Sequence, residues 1–137
     1  MKRSDLEKRA IDELSSQGYT CERAYNKAVY VPSRGYIASR FDFFHVVDII
    51  ALKESRARWI QVTSENADPK SKHHSRNGSD SVYLHKKKIE EFWPFDLPLE
   101  LWTYNKDHNR WTHTSEIYYK KQWKKDTLWL IEMEGEQ

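Results

Sequence analysis

The 137-residue chain is poor in the residues that mark several common function classes: it has one cysteine, four glycines and four prolines. The lone thiol, Cys21, can close no internal disulfide, which points to a reducing compartment. It also lacks the sequence context of a catalytic cysteine. No glycine-rich phosphate cradle is present, which argues against a nucleotide-hydrolysing domain. The adjacent His73 and His74 have no HExxH motif or cysteine pair beside them, so they carry no recognisable zinc signature. No apolar run reaches bilayer-spanning length, and the basic start MKRSDLEKR is not followed by an apolar signal region. Acids and bases nearly cancel, leaving a formal charge of +2, so any attraction to a polyanion must come from local patches. These limits predict a soluble, cytoplasmic protein of one domain over residues 1–137, not associated with membranes.

Large rings dominate what remains. Aromatic residues make up 14% of the chain, so much of the core must be built from Trp, Tyr and Phe. Ser4-Asp5-Leu6-Glu7 has the pattern of a capping box, and Leu6, Ala10, Ile11 and Leu14 recur at helical spacing up to Gly18. A first amphipathic helix is expected over roughly residues 5–17. Strand-like segments follow at 19–31, ending at Pro32, and at 43–52 and 57–63, with 33–40 a loop or an irregular continuation. Residues 64–81 form a long polar loop. Asp80 or Ser81 can cap a second helix at 82–92, which Pro94 and Pro98 terminate. Residues 99–104 and 110–119 read as a hairpin, and 127–133 as a last strand or short helix. The order predicts helices packed on a central mixed sheet.

Within this frame Asp48 stands out. It lies among Val46, Val47, Ile49 and Ile50, where an ionised carboxylate is costly without a cation, hydrogen-bond donors or an exposed strand end. A strand-end aspartate that simply reaches water is the plainer alternative. On the next strand Gln61 and Thr63 alternate with Ile60 and Val62, so period two places them on one face, by default the solvent face. If the two segments pair as a hairpin, Asp48 comes near Gln61. Glu7 lies beside the helical core stripe, and its simplest role is as the reciprocal half of the capping box.

A helix carrying Glu7, an apolar strand carrying Asp48 and a strand reading Gln61-Val62-Thr63 together resemble the PD-(D/E)XK nuclease superfamily. FFHVVDIIAL, WIQVTS and the basic helix KKKIEEF are most similar to its prokaryotic and phage Holliday-junction-resolvase-like and restriction-endonuclease-like members. The resemblance covers roughly residues 4–105. It implies an α/β fold with a restriction-endonuclease-like αβββαβ core and hydrolysis of DNA phosphodiesters assisted by Mg²⁺ or Mn²⁺. Asp48 takes the position of the metal-binding aspartate, and Gln61 that of the second acid. Thr63 takes that of the catalytic lysine, and Glu7 that of the helix-one acid of resolvase-like members. The Val62 carbonyl becomes a further metal ligand. In some members of such families the missing cation comes from the second helix, where Lys88 is the first candidate and Lys86 the second. Each of these lysines can also be read as part of a solvated basic face.

Lys70, Lys72, Arg76, Lys86, Lys87 and Lys88, opposed only by Asp80, form a local basic block suited to phosphate contact. Lys120, Lys121, Lys124 and Lys125 interleave with Tyr118, Tyr119 and Trp123 in a second patch fitted to phosphates and stacked bases. DNA, duplex or branched, is the expected partner, and the resemblance leaves room for a homodimer. Competing with an active endonuclease are a nucleic-acid-binding domain whose site is worn down at Gln61 and Thr63, and a protein-interaction module on the same fold.

Overall fold

The computed structural model describes residues 3–64 and 81–125. Helix α1 (Arg3–Ser16) buries Leu6, Ala10 and Leu14, one full face at a spacing of four. It stops in a Schellman turn. Tyr19 N–H reaches back to the Leu14 carbonyl and Gly18 N–H to that of Ser15, both at 3.0 Å. Gly18 takes the left-handed position with φ 93°, which costs a glycine little.

Eight strands follow: β1 (Thr20–Arg23), β2 (Tyr25–Val31), β3 (Gly35–Phe41), β4 (Ile49–Lys53), β5 (Arg56–Ser64), then helix α2 (Val82–Phe92), β6 (Leu99–Asp107), β7 (Arg110–Tyr119) and β8 (Gln122–Lys124). Six of them make one sheet in the order β1-β4-β5-β6-β7-β8, and β2 and β3 pair apart from it. Every pairing is antiparallel except β5 with β6. A parallel pair requires a crossover, which α2 provides. The protein is thus α/β, with a mixed sheet and flanking helices as the sequence predicts. With the β2–β3 hairpin set aside, the run from α1 to β6 is α-β-β-β-α-β.

The sheet is covered on both faces. On one, Ile49, Ala51, Ile60, Val62, Trp102 and Tyr104 pack with Leu6, Ala10 and Leu14 of α1. On the other, Leu99, Leu101 and Tyr118 pack with Ile89 and Trp93 at α2 and with Val46 and Val47. Full burial of each such Leu or Ile side chain contributes roughly 1.5–3 kcal/mol, which is what holds the helices on the sheet.

Three elements differ from their sequence expectation. The segment 19–31 is two strands, because the chain breaks at buried Ala24, whose N–H bonds the Asp48 carbonyl at 2.7 Å. Residues 33–40 are mostly strand β3, paired along its length with β2 from Tyr25↔Phe41 to Val31↔Gly35. Pro32 and the polar residues around it mark the turn of a hairpin, not the end of sheet structure. The apolar run 43–52 is a strand only from Ile49 onward. Before it the chain turns tightly, with Phe44 and His45 at φ 52° and 71°. Val46 and Val47 are fully buried, but against the α2 cluster, so a continuous apolar run here reports burial without reporting strand. The expected last element at 127–133 and the loop interior at 65–80 lie outside the described residues. Among the described residues no helix is long and apolar enough to cross a membrane.

Candidate functional site

Because β4 begins at Ile49, Asp48 sits at its mouth, not within it. Asp48 N–H bonds the Ile60 carbonyl at 2.9 Å, and its Oδ2 accepts the Val62 N–H at 2.8 Å. The carboxylate is fully buried and fixed across the start of the β4–β5 ladder. The N–H and C=O of one strand residue point toward the same neighbouring strand, so the Val62 carbonyl also faces the Asp48 side.

Alternation carries Gln61 and Thr63 onto the α2 face, where they are 2% and 3% exposed. They are therefore not the solvent face of an amphipathic strand. Gln61 Nε2 lies 3.2 Å from His85 Nδ1. Thr63 Oγ1 donates to the Ser64 carbonyl at 3.4 Å. His85 is delivered by α2, whose buried residues are His85 and Ile89. Ser81 caps the helix, its hydroxyl accepting Leu84 N–H at 3.3 Å.

Glu7 is fully buried on the α1 side, with one carboxylate oxygen 3.8 Å from Arg23 Nη2. Arg23 is the register partner of Ile49, so Glu7 and Asp48 approach the same end of β4, Glu7 from beneath α1.

The lysines of α2 are placed as its helical wheel predicts, Lys86 and Lys88 half-buried on the flanks and Lys87 exposed. Their charged ends turn to local acids. Lys86 pairs with Glu116 and lies 4.9 Å from the Trp123 ring centre. Lys88 Nζ is 3.8 Å from Asp42, and Lys87 is 3.5 Å from Glu90. The α2 group that meets Gln61 is thus His85. The sequence carried a signal for it: Val82, His85 and Ile89 fall at i, i+3, i+7, the spacing of a buried face. Lys70, Lys72 and Arg76 of the basic block lie outside the described residues.

Sequence reasoning also passed over Glu100 and Arg58. Glu100 is 1% exposed and accepts Arg58 Nε and Nη2 at 2.8 and 2.6 Å, and Trp102 Nε1 at 3.1 Å. Burial alone would lower the guanidinium pKa, but the hydrogen bonds and charge of Glu100 outweigh it and push it up. The same reasoning that singled out Asp48, an acid in an apolar strand, applies to LELWTY. Cys21 is partly buried, and burial raises its pKa, so it remains a protonated thiol and not a ready nucleophile.

Cavities lie elsewhere among the described residues. One of about 490 Å³ lies between α1 and the β6–β7 hairpin, lined by Arg9, Glu13, Tyr104, Trp111 and His113. One of about 270 Å³ lies between the end of α2 and the β7–β8 turn, beside Trp93, Phe95 and Lys121. Neither includes Asp48 or Gln61.

Among the described residues, no group of three or more His, Cys, Asp or Glu is gathered as a metal site. The donors around Asp48 are mixed: one carboxylate, one side-chain amide and one peptide carbonyl. All can offer oxygen, the ligand type of Mg²⁺, which is commonly bound by one or two carboxylates with waters and substrate phosphates. The set fits such an ion if phosphate oxygens complete its shell. No family model matches the chain, and no curated protein and no solved structure does either.

Proposed function

We propose that this chain is a metal-dependent DNA endonuclease domain of the PD-(D/E)XK type, hydrolysing phosphodiester bonds beside Asp48 and Gln61. The observation that carries the proposal is the Asp48 carboxylate, buried at the mouth of β4, tied to the Val62 N–H and opposite the strand that bears Gln61. Asp48, Gln61 and the Val62 carbonyl would hold Mg²⁺ or Mn²⁺, which polarises a phosphate oxygen and lowers the pKa of a bound water. Asp48 supplies the negative charge that draws the cation, and its bond to Val62 keeps one orientation. Gln61 supplies a neutral oxygen. Glu7 reaches the same strand end from the α1 side. Lys86, Lys87 and Lys88 contribute phosphate contacts along α2, for which DNA exchanges their present acidic partners. Thr63 brings no charge to the site. The single reduced Cys21 suits a cytoplasmic setting.

A second reading is favoured by one specific observation. Lys86 and Lys88 are engaged with Glu116 and Asp42, while Gln61 and Thr63 are neutral. On that reading the domain binds nucleic acid without cutting it.

Purified protein mixed with junction, flap and linear duplex DNA in Mg²⁺ or Mn²⁺ separates the two. The expected result is cleavage of at least one substrate, lost in Asp48→Ala, with binding that weakens steeply as salt rises. Salt-dependent binding with no cleavage in either metal selects the second reading. Cleavage that survives Asp48→Ala removes the site from the proposal.

A further inference from the structure

The geometry points to His85 as the positioning residue that decides which end of the Gln61 amide faces a cation, an inference that rests on the metal-site reading above. A carboxylate at position 61 would present either of two equivalent oxygens. An amide has one oxygen and one NH₂ of nearly the same shape, and an NH₂ turned toward a cation repels it. A glutamine is the better ligand when something else claims its nitrogen, because its oxygen is then held toward the cation before binding.

His85 does this. Its Nδ1 is 3.2 Å from Gln61 Nε2, so the amide N–H donates to the ring and Oε1 is left as the end available to a ligand. In this arrangement Nδ1 is the acceptor and the ring proton sits on Nε2. The ring is 7% exposed and does not depend on a loop for its position. It stands in the first turn of α2, where His85 N–H bonds the Ser81 carbonyl at 3.1 Å. One turn on, Ile89 is 1% exposed and anchors the helix in the core. Ligands of metal ions are regularly oriented by such outer hydrogen bonds, and losing one typically costs about 10–100-fold in metal affinity.

The test is Mn²⁺ binding to the full chain, read by calorimetry and by the loss of free-Mn²⁺ paramagnetic signal, with and without a non-cleavable DNA duplex. His85→Leu, which fills the space without an acceptor, is expected to weaken binding about 10–100-fold. His85→Asn, whose side-chain carbonyl can reach the place of Nδ1, keeps most of the affinity. In Gln61→Glu, where the two ends are equivalent, adding His85→Leu costs nothing further. Thermal melts of each variant report whether the fold persists, and the side-chain amide resonance of Gln61, in the variants that keep it, reports whether the contact does. Equal Mn²⁺ affinity in His85→Leu and the unmodified chain overturns the inference. So does the same loss in the Gln61→Glu background, since that marks a general packing defect. If the unmodified chain binds no Mn²⁺ even with DNA, the metal site itself fails and His85 falls with it. Binding that Asp48→Ala abolishes but His85→Leu spares leaves the metal site standing and removes only the role of His85.

Discussion

Glu100, within the sheet, and Asp48, at the mouth of one of its strands, are both buried acids, 1% and 0% exposed, and the neighbouring strand meets them differently. Glu100 lies on the α1 face and takes a two-pronged guanidinium from Arg58 on the neighbouring strand, plus the Trp102 indole N–H. Such a fork matches charge with charge inside the protein. Asp48 lies at a strand mouth, and its Oδ2 accepts the Val62 N–H on the strand that bears Gln61. The contrast teaches that an acid in an apolar strand is not by itself a sign of catalysis. On the neighbouring strand Glu100 is met by a guanidinium, and Asp48 by a peptide N–H.

The largest effect is expected on the Glu100 side. Arg58→Ala leaves a buried carboxylate without its cation and should cost about 3–5 kcal/mol in stability, read from urea unfolding, while Mn²⁺ affinity per folded molecule stays unchanged. Replacing both partners, Arg58→Met with Glu100→Leu, should recover much of that loss. If Arg58→Ala unfolds no more easily than the unmodified chain, Glu100 is not the structural member of the comparison. On the other side, Asp48→Ala should reduce cleavage by about 10²–10³-fold, the several kcal/mol that a Lewis acid supplies, as initial rates on the best DNA substrate would show. A milder effect belongs to the α2 cap. Ser81→Ala should cost about 1 kcal/mol of stability. The smallest is at the surface: Lys87→Ala removes an exposed pair with Glu90 and should shift stability by no more than a few tenths of a kcal/mol, with DNA affinity falling and its salt dependence becoming shallower.

Both helices were legible in the sequence because their apolar spacing is local and regular. Leu6, Ala10 and Leu14 mark α1, and Val82 and Ile89 mark α2, with Ser81 as its cap. The alternation of Ile60 with Gln61 and the pairing of the segments at 99–104 and 110–119 as a hairpin were legible for the same reason. Asp48 was visible as an anomaly in its composition. Its precise setting was not, since the apolar run before it folds back onto α2 and does not extend the strand. His85 was hidden among lysines, and Glu100 among residues read only as strand.

Period and punctuation along the chain were enough for its elements: an amphipathic first helix, a second helix capped near Ser81 and strands rich in rings. Their partners were settled by the packing of the whole chain. It sent β2 and β3 to a sheet of their own, started β4 at Ile49, turned Lys86 and Lys88 to Glu116 and Asp42, and brought His85 to Gln61 across 24 positions of chain. Periodicity is set by the backbone geometry of each segment alone. The identity of a partner depends on which distant segments the whole fold brings together, and no local pattern encodes that.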